Sequence, residues 1–238
     1  MPVTTPAQRV DALDWIQIRS GLLERGACQA GSLLNDAECR ELISLYEHDP
    51  LFRKRIEMES HSYGRGEYAY FRNPLPVLVT ELREALYRRL QPIANQMHQS
   101  IGIETLYPAT LDAFLDHCHG RGQQRPTPLL LRYRAGGYNR MHRDLYGDVF
   151  FPFQATLFLS EPGKDFDGGE FLLQEQRPRV QPRVEVYRPA RGDLILFASR
   201  ECMTQGKRGP IRLQLRHGVA TVPRGERYTL GIIFHDAE

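Results

Sequence analysis

Two hydrophobic periods divide the chain. Up to about residue 105 apolar residues recur every three to four positions, the spacing that gathers them on one side of a helix. Val10, Leu13, Ile16 (or Trp15) and Leu22–Leu23 define such a face over 7–25. Asn35, with Glu38 three residues on, reads as an N-cap with its capping box; the stripe Leu42, Ile43, Leu45 and Tyr46 follows, and Pro50 marks the end. A longer helix is expected from about Pro76 to Ser100, with Val77, Leu78, Leu82, Leu86, Leu90 and Ile93 along its face. Pro92 should bend or divide it. The alternating aromatics and glycines of HSYGRGEYAYFRNP (61–74) suit an irregular hairpin, and a short helix around 109–118 leads into the turn-rich GRGQQRPTP (120–128).

From Leu129 onward the period falls to two. Candidate strands are 129–134, 153–159, 169–174, 184–188, 193–198, 211–217 and 227–234, separated by turn signals such as Gly136-Gly137, Asp167-Gly168 and Gly192-Asp193. Short strands at this spacing argue for a sandwich or barrel rather than a parallel α/β sheet. The expected architecture is α+β: a helical support region over 1–105 packed on a β core over 106–238, the two forming one compact unit without a disordered linker.

Composition adds limits. Hydrophobic residues are 41% and charged residues 25% of the 238, as in a folded globular protein. No apolar run approaches the length of a membrane span, and the N-terminus lacks the basic and apolar regions of a secretory signal, so a cytoplasmic protein is expected. A formal net charge of +2 neither demands nor forbids a polyanionic partner, although 52–55, 177–192 and 205–218 are locally Arg-rich. Cys28, Cys39, Cys118 and Cys202 form no CxxC or zinc-ribbon spacing and read as buried, reduced thiols.

Three positions suggest chemistry. His142-Arg143-Asp144 on an extended segment presents an imidazole and a carboxylate to the same side. Alone, such a tripeptide is equally well a surface His beside a turn Asp. In IRLQLRHGVATV the alternation of Ile211, Leu213 and Leu215 with polar neighbours carries His217 to the inward face at its strand's end. Two His and one Asp are the donor set of a facial triad, which holds Fe(II) from one side and leaves three positions open. On the last strand Arg227, Thr229, Gly231 and Ile233 share one face, opposite the apolar row Tyr228, Leu230, Ile232 and Phe234. An inward Arg needs an anion, and the neighbouring strand offers no carboxylate; a ligand carboxylate would fit its two-pronged geometry.

These residues carry a family resemblance. LRYRAGGYNRMHRDLYGDVFFPFQATLFLSEPGKDFDGGEFLL, RPARGDLILF and RHGVATVPRGERYTLGIIFHDA, covering about 129–238, resemble the Fe(II)/2-oxoglutarate-dependent dioxygenases. The similarity is to the prolyl-hydroxylase-like branch, and most closely to bacterial oxygenases labelled as acting on damaged, alkylated DNA. It implies a double-stranded β-helix (jelly-roll) fold, Fe(II) as cofactor, and 2-oxoglutarate and O2 as cosubstrates. It further implies that His142, Asp144 and His217 ligate the iron, that Arg227 and Thr229 hold the C5 carboxylate of 2-oxoglutarate, and that Tyr133 donates its hydroxyl to the cosubstrate. Asn139 and Arg140 are candidates to face substrate.

The substrate stays open at this point: an N-alkylated base in nucleic acid, a protein or peptide side chain, or a small metabolite. A jelly-roll binding module that does not use a metal is the non-enzymatic alternative, against which the complete set of four polar residues speaks. His117-Cys118-His119 splays its donors around a short helix, and His235-Asp236 reads as a strand end. The Arg/Tyr-rich segment 52–72 suits either a nucleic-acid grip or a hairpin packing its aromatics on the barrel.

Overall fold

The computed structural model describes residues 4–100, 102–104, 106–144, 147–177, 179–206 and 209–238. Pro178 of the basic stretch 177–192, and Lys207 and Arg208 of 205–218, lie outside the described residues.

The first apolar face is two helices, α1 (Pro6–Asp11) and α2 (Trp15–Arg25), because Asp14 stops the first path and caps the second by accepting from the Ile16 and Gln17 amides. Trp15 turns inward and donates to the Val10 carbonyl, whereas Ile16 is 86% exposed. Strand β1 (Ala27–Ser32) precedes α3 (Asp36–Leu45), where the expected capping box of Asn35 and Glu38 is present. That helix ends before Pro50, which starts a short 3-10 turn instead. Strands β2 (Phe52–Glu57), β3 (Gly64–Arg65) and β4 (Glu67–Phe71) follow. The first 105 residues are therefore not only helical. They supply four strands, of which β3 and β4 fall in the hairpin expected over 61–74 and β1 and β2 were not anticipated.

Helix α4 (Val77–Ser100) runs through Pro92 undivided. Proline leaves the carbonyl four residues earlier without a donor, and that residue, Arg88, is exposed to water. Leu82, Leu86, Leu90 and Ile93 are buried as expected, while Val77 is 74% exposed and Val79 takes the inward place. Helix α5 spans Leu111–His119. Then come β5 (Leu129–Arg134), β6 (Gly137–His142), β7 (Phe153–Phe158), β8 (Phe166–Asp167), β9 (Phe171–Gln176), β10 (Arg183–Tyr187), β11 (Asp193–Ala198), β12 (Glu201–Gly206), β13 (Gly209–Val222) and β14 (Arg224–Ile233).

The strands form a jelly roll of two antiparallel sheets. The larger runs β1-β11-β7-β14-β5-β4-β2 with β8 beside β14; the smaller runs β10-β9-β13-β6-β3 with β12 beside β13. One face of the larger sheet, including Leu157, Leu194, Leu196, Leu230 and Ile232, shares a continuous core with Leu82, Leu86 and Leu90 of α4. The helices thus cover one side and leave the other face to look into the barrel. Strands β1, β4 and β2, from the N-terminal part, extend this sheet at both ends. All four cysteines are free and buried, and burial raises their thiol pKa values, Cys39 up to about 11 and Cys202 up to about 12.

Candidate metal centre

Strand pairing brings the expected residues together. His142 ends β6, and His217 on β13 is its register partner. Asp144 lies two residues past the end of β6, so the interrupted strand turns its carboxylate back toward both rings. His142 Nε2 lies 3.6 Å from one Asp144 oxygen and His217 Nε2 lies 3.5 Å from the other. The three ligand-type atoms all fall within 4.8 Å of one another, the only such group among the described residues.

The imidazoles are prepared for this role. His142 Nδ1 is 2.7 Å from the Arg140 carbonyl oxygen, which only accepts, so Nδ1 carries the proton and Nε2 keeps its lone pair. His217 packs between Phe197 and Phe171, with ring centroids at 4.8 and 6.1 Å. Burial, then the neighbouring His142, pushes the His217 pKa down to about 3, so it is neutral at physiological pH. Burial works to raise the Asp144 carboxyl, but the two imidazoles beside it outweigh burial and hold the group below the ordinary carboxylate range. A carboxylate flanked by two imidazole lone pairs is a donor set for a divalent cation of iron or zinc type.

The triad opens into a cavity of about 490 Å³ that is also lined by Tyr133, Arg227, Thr229 and Gly231. The face of β14 expected to be polar is the one that looks inward, and its opposite row joins the main core. Arg227 is 2% exposed, and its Nε and Nη1 have no hydrogen-bond partner. Glu170, the carboxylate whose charge reaches it, is engaged with Arg188 at 3.2 Å. Burial accordingly lowers the Arg227 pKa to about 10. An arginine left this way is costly without an anion. Gly169, at φ +62° in the GGEF segment, leaves the room: a Cβ there would come within 2.8 Å of Arg227 Cδ. Thr229 is 2% exposed two residues along the strand, and Tyr133, wholly buried, stands opposite Arg227 on β5. Asn139 lines the cavity and donates to the Tyr133 hydroxyl at 3.4 Å; Arg140 does not line it, and contributes through its carbonyl.

The other sequence candidates have structural uses. His119 meets Asp236 at 3.0 Å, and Asp236 pairs with buried Arg83 at 2.8 Å, so both motifs belong to a clamp that ties the C-terminal end to α4 and α5. The cavity lining also includes Ile56, Tyr63, Tyr68 and Tyr70 of the segment 52–72, which the sequence left as either a nucleic-acid grip or a packed hairpin. Alternation in EYAYF puts Tyr68 and Tyr70 on one face of β4, but only the pairing of β4 with β5 brings that face to the metal site.

Comparison with known proteins agrees with this geometry. Residues 66–237 match the Oxygenase-NA family, described as an oxygenase catalysing oxidative methylation of damaged DNA. An uncharacterised protein of Mycobacterium tuberculosis is 42% identical over 173 residues, covering 73% of this chain and 74% of the relative. In fold the chain is similar to a Pseudomonas putida prolyl-4-hydroxylase, with TM-score 0.55 and 18% identity over 92% of this chain and 97% of that one. It is also similar to an oxidoreductase of the 2OG-Fe(II) oxygenase family from Burkholderia pseudomallei, with TM-score 0.51 and 18% identity over 94% and 92%.

Proposed function

The chain belongs to the Oxygenase-NA family and is a 2-oxoglutarate- and Fe(II)-dependent oxygenase, and from that premise we propose both its site residues and its substrate. His142, Asp144 and His217 hold the iron; Arg227, Thr229 and Tyr133 hold 2-oxoglutarate; the substrate is an N-methylated base in nucleic acid. No helix among the described residues is long and apolar enough to cross a membrane. Four free cysteines fit a reducing compartment such as the cytoplasm.

The observation that carries the assignment is the buried guanidinium of Arg227, whose Nε and Nη1 have no hydrogen-bond partner among the described residues, in the same cavity as the triad. One anion satisfies it, and a dicarboxylic keto acid supplies a carboxylate for Arg227 with a second chelating end for the metal. When iron, 2-oxoglutarate and O2 are bound, the centre supplies an oxidant that converts a substrate C–H to C–OH while 2-oxoglutarate becomes succinate and CO2.

The protein's residues do the rest. Arg227 neutralises the distal carboxylate in a solvent-closed place where the attraction is strong, and Thr229 and Tyr133 supply hydroxyls beside it. The Arg140 carbonyl orients His142, and the two aromatic rings beside His217 fix its plane. Leu129, Leu131 and Ile233 give the cavity an apolar wall beside these polar groups. For an N-methyl substrate, the hydroxylated methyl is a hemiaminal, which releases formaldehyde and leaves N–H on the base.

The test is anaerobic titration of the Fe(II) protein with 2-oxoglutarate, followed by the weak visible absorption of the chelate, and then aerobic incubation with oligonucleotides carrying N-methylated bases. The band and formaldehyde release are expected. Iron-loaded protein that develops no band with 2-oxoglutarate would refute the cosubstrate site, and succinate formed without formaldehyde from any methylated base would refute the substrate.

A further inference from the structure

We propose that the mouth of the cavity recognises one unpaired nucleotide, its base ring against the tyrosines of the β2–β4 segment and its phosphate at Arg143. The inference deepens the oxygenase assignment and rests on it.

The segment from β2 to β4 belongs to both sheets. Strands β2 and β4 continue the larger sheet beyond β5, while β3 pairs with β6, the strand that ends in His142. It therefore bridges the open side of the barrel beside the metal site. Gly64, at φ +153°, allows the close approach, because a Cβ there would run into the Tyr138 carbonyl. The Arg140 amide donates to the Tyr63 carbonyl at 2.8 Å, which fastens Tyr63 next to the ligand strand. Tyr63 is 48% exposed and stacks on His61 at 5.3 Å with an interplanar angle of 24°. Behind it Tyr68 and Tyr70 meet edge-to-face at 5.5 Å, and the guanidinium of Arg53 lies 4.5 Å from the centroid of Tyr70. Such rings are held rigidly and offer a stacking surface.

The arginines Arg53, Arg55 and Arg65 of this segment are already engaged within the fold. Arg53 donates to the Pro126 carbonyl, Arg55 pairs with Asp49, and Arg65 pairs with Glu59. The spare cation sits across the mouth. Arg143 lines the cavity, donates to the Gln214 side chain at 2.8 Å, and has no carboxylate partner among the described residues; its Nε is buried without an acceptor. The cavity thus has two guanidiniums, Arg227 for the cosubstrate and Arg143 for something else. A prolyl ring would use the tyrosines and leave Arg143 without an anion. A small carboxylate would use Arg143 and leave the tyrosine wall bare. A nucleotide uses both, and it must be single-stranded or flipped, because a paired base cannot enter a recess of this kind.

The probe is a labelled single-stranded pentanucleotide with a central 1-methyladenine, bound under anaerobic conditions to the protein with Fe(II) and 2-oxoglutarate and read by fluorescence anisotropy. Replacing the central base by an abasic site should weaken binding about tenfold, and so should Tyr63→Ala or Tyr68→Ala, as loss of one base–aromatic stack does. Tyr63→Trp should restore it. Arg143→Met should flatten the slope of log affinity against log salt by about 0.7, one single-strand phosphate contact, and Arg143→Lys should keep it. Equal binding of the abasic strand, an unchanged salt slope in Arg143→Met, or tighter binding of a proline-rich pentapeptide would overturn the proposal. Because these arms read binding, they decide it whether or not the 2-oxoglutarate band forms, and the band separately decides the oxygenase site.

Discussion

Arg227 and Tyr133 face each other across the β14–β5 ladder, with the guanidinium carbon 5.4 Å from the ring centroid and both side chains closed to solvent. The ring screens one side of a cation that makes no ion pair with a carboxylate among the described residues. The Tyr133 hydroxyl, its pKa raised to about 12 chiefly by burial, stays protonated and available as a donor. In the proposed site this pair would receive the distal carboxylate of 2-oxoglutarate.

Truncating Arg227 should cost that receptor its charge. Arg227→Ala is expected to weaken 2-oxoglutarate binding by about 2–5 kcal/mol, with Fe(II) affinity little changed. Arg227→Lys should be milder, since it keeps the charge without the two-pronged contact. Tyr133→Phe removes one hydroxyl and should cost about 0.5–1.5 kcal/mol. Isothermal titration of the Fe(II) protein with 2-oxoglutarate checks the order; equal affinities for Arg227→Ala and the parent protein would put the carboxylate elsewhere.

Asp144 lies between the two imidazoles, one oxygen toward each, so it is the residue on which the metal site depends most. Asp144→Ala should lower Fe(II) affinity by at least about 100-fold, the upper end of what even outer-shell changes cost. His142→Ala and His217→Ala should also lose iron. His217→Ala should unfold at a lower temperature than His142→Ala as well, because His217 fills space between Phe171 and Phe197 while the His142 side chain is 33% exposed. Metal analysis and thermal unfolding of the three purified variants give the comparison.

The alternation of side chains was enough to turn His217, Arg227 and Thr229 into the cavity. Period two put His217 inward and gave Arg227 and Thr229 a common face, and the bounds of β5 and β11 coincide with the apolar runs 129–134 and 193–198. Strands β1 and β2 were missed for a physical reason. They are the two edges of the larger sheet, and β2, with Arg53, Lys54 and Arg55, carries the charge that discourages further pairing. Its arginines suggested a polyanion grip because a sequence does not show that Asp49, Tyr46 and Pro126 already occupy them. The tyrosines of this segment were legible as a stacking surface, but their place beside the metal site was not, because it depends on pairing between residues about 60 apart.

That distinction is measurable in β2. The Arg55 guanidinium lies 4.6 Å from the Tyr46 centroid and 4.8 Å from Phe52, and pairs with Asp49 at 2.8 Å. Arg55→Ala should destabilise the fold by about 1 kcal/mol, mainly through lost stacking, since the ion pair is largely solvated. Lys54 is exposed and makes no hydrogen bond or ion pair among the described residues, so Lys54→Ala should change stability by less than about 0.5 kcal/mol. Urea unfolding separates the two, and equal losses would mean that Arg55 is as free as Lys54.

Stability should also fall in mild acid, and His235 supplies a share of that slope. Its ring is 2% exposed, and Nδ1 accepts from the Phe151 amide at 3.1 Å, a bond available only while Nδ1 is unprotonated. Burial, helped by the charges of Arg83 and Arg200 and opposed by Asp144 and Asp236, pushes its pKa down from 6.5 to about 3. The folded state therefore resists a proton that the unfolded chain accepts. The contribution is complete above pH 6.5 and is lost as pH falls from there toward 3, at up to about 1.4 kcal/mol per pH unit. Metal-free His217, with its pKa also at about 3, adds a slope of the same sign, which His142, its pKa raised against burial by Asp144, opposes. Denaturant unfolding of the metal-free protein from neutral pH into mild acid should show this decline, and His235→Asn should remove one residue's share while keeping a side chain that can accept from Phe151. A variant with an undiminished slope would mean that His235 takes up its proton as readily in the folded state as in the unfolded one.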